Sequence, residues 1–191
     1  MLAIVLLLFS LTACSRSPFD QSHRRALAEN PTGIELEIRT RGGKQQFSVS
    51  EPVEFEEFYT SKYSGLWQIE VFEGNNVASN PSSDLVHIAD GNTTSDQPRE
   101  LWVGIVCCNS RHIWLNQEPV RIPYKLRPGR SLAEHEGWPN PEWHVLHLPN
   151  QPGNYRVYVT THRVFWSGDN KNVLQDRGRQ VSSNVLKLHV K

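Results

Sequence analysis

The sequence has few cysteines and no net charge, and each of these properties argues against a class of protein. Only three of the 191 residues are cysteine, and two of these, Cys107 and Cys108, are adjacent. Adjacent cysteines cannot join distant parts of a chain, so disulfides do not provide the framework of this fold. Basic and acidic residues number 20 each. A balanced chain lacks the basic excess that phosphate binding requires, which argues against nucleic acid as a partner.

Motifs of the common enzyme sites are also missing. The sequence contains no G-x-S-x-G nucleophile elbow and no glycine-rich phosphate loop. Neither Cys107 nor Cys108 lies at a predicted helix start, where a thiolate would be stabilised. Neighbouring glutamates at 56–57 and at 134 and 136 are predicted to lie on solvated faces and turns. We therefore expect a protein that is not an enzyme and that needs no cofactor.

Several potential zinc ligands occur in the second half of the chain: His135, Glu136, His144, His147 and His162. A catalytic zinc site uses three such ligands and a water molecule. If the segment around residues 143–148 is a strand, His144 and His147 point to opposite faces, because side chains alternate along a strand. The two could not share a metal ion, and we predict no metal site.

The chain opens with an apolar segment followed by small residues and a cysteine. The run from Leu2 to Phe9 is unbroken. It is too short for a bilayer span, which needs about 20 apolar residues. It has the length of a signal-peptide core, roughly 7–15 residues. No Lys or Arg precedes the run, so its only positive charge is the amino terminus.

The segment Leu11-Thr12-Ala13-Cys14 resembles the lipobox of bacterial lipoproteins. The resemblance implies a signal peptide over residues 1–13, cleavage before Cys14 and a diacylglycerol on its thiol. The membrane is then a partner through this lipid. Ser15 follows, and in enteric lipoproteins a residue other than Asp at that position implies sorting to the outer membrane. We expect a lipid-anchored protein of the bacterial cell envelope, facing the periplasm where an outer membrane exists.

With Cys14 assigned to the lipid, only the adjacent pair Cys107 and Cys108 remains. Three states are open for this pair: two free thiols, a vicinal disulfide, or a bond from one of them to another chain.

Beyond the anchor, the sequence predicts a tether and one domain. Residues 14–32 are polar, contain Pro18 and Pro31, and show no sustained period, which indicates a flexible tether behind the cysteine to which the lipobox resemblance assigns the lipid. Residues 33–191 have the length of one domain. Alternation of apolar and polar residues begins at Ile34. Counting such segments predicts about eight to ten short strands and no long helix, which is typical of an all-β sandwich.

A second resemblance refines the predicted sandwich. The segment 148–155, Leu-Pro-Asn-Gln-Pro-Gly-Asn-Tyr, is similar to the tyrosine corner of immunoglobulin-like domains, and Trp67 is placed like their core tryptophan. The resemblance implies an immunoglobulin-like antiparallel β-sandwich in which the Tyr155 hydroxyl bonds back to the preceding corner. Val157 stands where antibody domains carry a cysteine. This fold implies no particular activity.

A long irregular insertion is predicted at about residues 109–142, where prolines interrupt every pattern. We expect only Val120 to Tyr124 to form a strand there, at the edge of a sheet. Aromatic and basic residues in and beside the insertion form a possible binding surface: Trp114, Tyr124, Arg127, Arg130, Trp138 and Trp143. Trp and Arg dominate interface hot spots, and sugars stack on exposed Trp. Alternatively, the insertion folds over one sheet and its tryptophans complete the core.

These observations favour a non-catalytic binding or structural module for an envelope protein or a glycan. An alternative on the same scaffold is an inhibitor of an envelope protease or of lysozyme that presents a loop. An enzyme with an unrecognised site is the third hypothesis.

Overall fold

The computed structural model describes residues 17–49, 51, 53–72, 84–91, 97–100, 110–128, 145–148, 151–167 and 178–191. These residues form two β-sheets, one α-helix and a 3-10 helix at Arg41–Gly43. The prediction of an all-β, immunoglobulin-like sandwich is confirmed. The proposed signal peptide and Cys14 lie outside the described residues, as do Cys107 and Cys108. In the described part of the chain, no helix has the length and apolarity that a membrane crossing requires.

The helix α1 spans Pro18–Ala28. The strands, in chain order, are β1 Ile34–Thr40, β2 Gln46–Phe47, β3 Val53–Ser61, β4 Trp67–Phe72, β5 Asp84–Asp90, β6 Gln97–Glu100, β7 Ser110–Trp114, β8 Val120–Pro128, β9 Val145–Leu148, β10 Gly153–Trp166, β11 Arg179–Ser182 and β12 Leu186–Val190. One sheet has the order β1-β3-β8-β9, and the second contains the path β2-β12-β10-β4-β7. In the second sheet β11 and β5 also pair with β10, and β6 pairs with β5.

The long strand β10 is the axis of the second sheet. Its first half lies between β12 and β5, so that Val157 is opposite both Leu186 and Ile88. Its second half lies between β11 and β4, with Val164 opposite Ile69. At about 3.3 Å per residue, its 14 residues reach about 45 Å. This single strand therefore reaches from one end of the sandwich to the other.

Two apolar clusters fill the space between the sheets. One surrounds Val157 and includes Phe47 and Val53, and the other surrounds Ile69 and includes Tyr59. Alternation accounts for both, because residues two apart on a strand share a face. Trp67 packs, partly buried, against the second cluster.

The corner at the start of β10 has the hydrogen bond that the immunoglobulin-like resemblance implies. The Tyr155 hydroxyl donates to the backbone carbonyl of Gln151, at 2.7 Å. Tyr155 is buried, and burial, followed by the nearby Asp90 carboxylate, raises the pKa of its hydroxyl. Beside it, the backbone amide of Gly91 donates to the carbonyl of Asn154. We call this region, where β10 begins and β5 and β12 end, the corner end of the sandwich.

The prediction of a flexible tether over residues 14–32 is wrong for residues 18–28, which form α1. Ser17 caps the helix, since its hydroxyl accepts from the Asp20 amide at 3.2 Å, and Pro18 suits the first helical position. Phe19 is fully buried in a third cluster, against Tyr158 on the outer face of the second sheet. The sequence Ser17-Pro18-Phe19-Asp20 has the spacing of a capping box, which is the signal that identifies this helix.

The prediction of an irregular insertion over 109–142 is also wrong for its first half, because residues 110–128 contain β7 and β8. Strand β8 is not at an edge: it lies between β3 and β9. Among the described residues, β9 pairs with Lys125 to Pro128 and not with Pro123, and a proline, which has no amide to donate, suits a position that lacks a strand partner on one side. Residues 129–142 lie outside the described residues. Two described strand pairs, β2 with β12 and β8 with β9, are parallel.

Candidate functional site

Large apolar side chains are exposed where β10 ends, opposite the corner end. The exposed fractions are 48% for Trp114, 48% for Tyr63, 44% for Trp166 and 42% for Leu66. We call these four residues the aromatic end. In the described part of the chain only one other large apolar side chain is exposed, Leu27 on α1.

Backbone pairing brings the aromatic end together. Trp166 on β10 lies opposite Trp67 on β4, and Trp114 on β7 lies opposite Gln68 on the same strand. Next to these pairs, the Ser167 amide donates to the carbonyl of Leu66 at 2.8 Å. Because hydrogen-bonded backbone carries the side chains, the surface is positioned before any partner arrives.

Tyr63 is held against the start of β1. The Ser61 hydroxyl donates to the Tyr63 carbonyl at 2.9 Å and accepts from the Tyr63 amide at 3.1 Å. Gly33, whose φ is +83°, lies beneath the ring, and a side chain at position 33 would meet it. Glycine is therefore needed there both for the backbone conformation and for the close approach of Tyr63.

Trp114 points to the outer face of its sheet. Its neighbours Ile113 and Leu115 both belong to the second core cluster, and alternation places Trp114 on the other side. On that outer face the pairing sets Gln68 between Trp114 and Phe165. His112 stacks on Phe165, with ring centroids 5.4 Å apart. The result is a strip of rings with amide and imidazole groups among them, a composition that suits contact with a protein or a sugar.

The structure separates the residues that the sequence selected as a binding surface. Trp114 is exposed and belongs to the aromatic end. Tyr124 and Arg127 lie on β8, in the other sheet, and their side chains are outside the described part. Arg130, Trp138 and Trp143 are outside the described residues altogether. Sequence reasoning missed Tyr63, Leu66 and Trp166. These residues lie at or near strand ends, and nothing else in the sequence indicates that their side chains are exposed.

A buried carboxylate lies between the sheets. Glu57 on β3 was expected on a solvated face, and that is wrong: it is fully buried. It shares the inward face of β3 with Val53 and Tyr59, and the Tyr59 hydroxyl donates to its Oε2 at 2.5 Å. Glu56, one residue earlier, points the other way and pairs with Arg121. The strand pairing runs without a shift through both positions.

The potential metal ligands within the described part of the chain do not converge. In the described ranges no three His, Cys, Asp or Glu side chains are grouped so that they could hold a metal ion. His147 is on β9 and His162 is on β10, in different sheets. His135, Glu136 and His144 lie outside the described residues.

Comparison with known proteins yields structural matches and no family. No protein-family model and no curated protein matches the sequence. The CARDB domain of a Pyrococcus furiosus protein, solved in complex with di-metal ions, is 15% identical, with 83% of this chain and 87% of that chain covered and a TM-score of 0.32. The sporulation control protein Spo0M of Bacillus subtilis is 7% identical, with 84% and 50% covered and a TM-score of 0.37.

A β-glucosidase from Listeria innocua, solved in complex with glucose, is 13% identical, with 82% of this chain and 16% of that chain covered and a TM-score of 0.32. Matches at these identities and scores carry no argument about activity. The β-sandwich itself is compatible with a non-catalytic module.

Proposed function

We propose that the protein is a lipid-anchored, non-catalytic binding module of the bacterial envelope and that the aromatic end is its contact surface. The observation that carries this proposal is the grouping of four exposed apolar side chains at one end of the sandwich. Exposed apolar side chains that gather in one region, rather than scatter singly over the surface, often mark a binding site. The partner is an envelope protein or a glycan.

The anchor is supported by the lipobox resemblance at Leu11 to Cys14. Several acyl chains give stable attachment, because each buried CH₂ contributes about 0.8 kcal/mol. Cys14→Ser should abolish lipid labelling and release the protein from membranes into the soluble fraction. A Cys14→Ser chain that stayed in the membrane fraction would contradict the anchor.

The binding surface can be tested with a soluble chain that begins at Ser15 and so contains every described element. A photo-crosslinking amino acid at position 114 of the purified chain, mixed with a bacterial envelope extract, should capture the same envelope partner as one at position 166. The matched control is position 27, which is also exposed and apolar but lies on α1. Capture from all three positions alike would show that the aromatic end is not the contact surface.

Glycans can be tested with the same soluble chain and purified peptidoglycan. Truncating a hot-spot aromatic residue costs about 2 kcal/mol or more. We therefore expect Trp114→Ala to weaken binding by about thirtyfold, while Leu27→Ala changes it little. The proposed function would be refuted if the chain bound no peptidoglycan and positions 114 and 166 captured no envelope protein.

One structural observation favours the inhibitor as a second candidate. The turn between β3 and β4 projects two exposed apolar side chains, Tyr63 and Leu66, around Gly65, whose φ is +75°. A rigid loop with exposed apolar residues is a form that can enter a protease cleft. Inhibition of an envelope protease or of lysozyme, lost in both Tyr63→Ala and Leu66→Ala, would select this function over the first.

A further inference from the structure

We propose that α1 fixes how the sandwich stands on its membrane, with the corner end turned to the bilayer and the aromatic end held away from it. The inference rests on the proposed lipid at Cys14. It adds an orientation that the anchor alone does not determine, and it names the lipid surface as the partner of the corner end.

The first step is that α1 is fastened to the sandwich at its beginning. Phe19 is fully buried, and its ring meets Tyr158 edge-on with centroids 5.1 Å apart. The Arg156 guanidinium lies 4.7 Å above the same ring and donates to the Asp20 carboxylate at 2.7 Å. It also donates to the Ser17 hydroxyl at 3.2 Å. The first turn of the helix is therefore joined to β10 by apolar and ionic contacts together.

The second step is the direction of α1, which further contacts determine. Midway along the helix, His23 Nε2 donates to the carbonyl of Ser183 at 2.7 Å. After the helix, the Asn30 side chain donates to the Ser182 carbonyl at 2.9 Å and accepts from the Ser182 amide at 2.7 Å. Ser182 pairs with Thr160, four residues beyond Arg156 on β10. The helix thus runs in the same direction as β10, with its beginning nearest the corner end.

The third step is the short distance from the lipid to that end. Two residues lie between Cys14 and Ser17, so the chain makes three steps of at most about 3.5 Å each, and the lipidated cysteine is within roughly 10 Å of the helix start. Ser17 contacts Arg156, which is three residues from the first residue of β10. The lipid is therefore attached close to the corner end.

The fourth step is the distance to the aromatic end. Trp166 is about ten residues beyond Arg156 on the same strand, which at about 3.3 Å per residue corresponds to about 30 Å. The described residues at the corner end include Asn154 and Lys191, both exposed and polar, and none of the exposed large apolar side chains of the described chain. The polar corner end is suited to contact with lipid headgroups. The aromatic end then points away from the membrane, towards the surrounding solution.

Energy transfer from the sandwich to a bilayer tests this orientation. The chain would begin at Cys14, which retains every described element, and would carry Cys107→Ser and Cys108→Ser. Its one remaining thiol is coupled to a maleimide phospholipid in phosphatidylcholine vesicles that contain acceptor-labelled headgroups. A donor dye is attached through an azide-bearing amino acid at position 154 in one sample and at position 63 in another.

We expect transfer from position 154 to exceed transfer from position 63 severalfold. Equal transfer, or stronger transfer from position 63, would overturn the proposal. A matched control inserts a flexible Gly-Ser linker of about twenty residues between Arg16 and Ser17, which should remove the difference. A difference that persisted with the linker would also overturn the proposal, because α1 would not be its cause. Since the lipid is coupled chemically, this test does not depend on whether cells lipidate Cys14, which the Cys14→Ser experiment decides separately.

Discussion

The guanidinium of Arg156 and the carboxylate of Asp20 lie 2.7 Å apart although 136 positions separate them in the sequence. This pair joins the first turn of α1 to the middle of the second sheet. The same carboxylate accepts from the Ser17 hydroxyl at 2.6 Å. Hydrogen bonding from Ser17, followed by the Arg156 charge, outweighs partial burial and lowers the pKa of Asp20.

This lowered pKa predicts how the docking of α1 depends on pH. A carboxyl group whose pKa is lower in the folded state stabilises the fold above its unfolded pKa, about 3.9, and loses that contribution as the pH falls through the folded value. Asp20→Asn should therefore destabilise the protein at pH 7 and have a smaller effect at pH 3. Urea unfolding at both pH values measures this. A control, Leu27→Ala at an exposed position on the same helix, should have the same small effect at both pH values, and an equal Asp20→Asn effect at both would contradict the prediction.

Loss of the Phe19 ring should weaken α1 far more than loss of another apolar side chain on the same helix. Phe19 is fully buried between Tyr158 and Arg156. Phe19→Ala removes a buried ring and is expected to lower the free energy of unfolding by about 3 kcal/mol. Leu27→Ala, at an exposed position, should change it by less than about 0.5 kcal/mol. Thermal unfolding followed by circular dichroism compares the two, and similar effects would show that the helix is not docked through Phe19.

The tyrosine corner predicts a modest loss of stability. Tyr155→Phe removes only the hydroxyl that donates to the Gln151 carbonyl. A hydrogen bond between neutral groups contributes about 0.5–1.5 kcal/mol, and we expect that decrease in the free energy of unfolding. The midpoint of urea unfolding measures it. An unchanged midpoint would mean that the hydroxyl stabilises nothing.

The buried carboxylate predicts a larger loss for the other buried tyrosine. Tyr59→Phe removes the hydroxyl that donates to Glu57, which is fully buried. Water cannot replace the lost hydrogen bond at a fully buried acceptor, whereas the acceptor of the Tyr155 hydroxyl belongs to the exposed residue Gln151. Tyr59→Phe should therefore cost about 1–3 kcal/mol, more than Tyr155→Phe under the same conditions. If the two variants lost equal stability, burial of the Glu57 side chain would not determine the cost.

The strands were predictable because a strand with one buried face alternates apolar and polar residues, and this alternation is visible in the sequence. Ile34, Leu36 and Ile38 alternate with polar residues and are all buried on β1. The helix was harder to predict because only Phe19 and Ala26 are buried along it, which is too sparse for a helical period. Its cap residues, by contrast, were readable as a local motif.

The candidate site could be predicted only in part. Trp114 was selected because it is a tryptophan in an irregular stretch of sequence. Its position at the same end of the sandwich as Trp166 depends on both β7 and β10 pairing with β4, and such long-range pairing leaves no local mark in the sequence. Glu57 shares the parity of Val53 on β3, so the pattern indicated burial while the residue type indicated exposure. The Tyr59 hydroxyl, which pairs with the carboxylate, resolves that conflict.

The first strands of this chain are completed by its last residues. Phe47 on β2 pairs with Val190, and the Ile38 amide donates to the Asn184 side chain at 2.7 Å. Phe19 likewise packs on β10, a late strand. These contacts cannot form until the last segment of the chain has been synthesised, although β1 can already pair with β3. Contacts of such long range form slowly, so the N-terminal helix and β2 reach their final packing only when synthesis is complete.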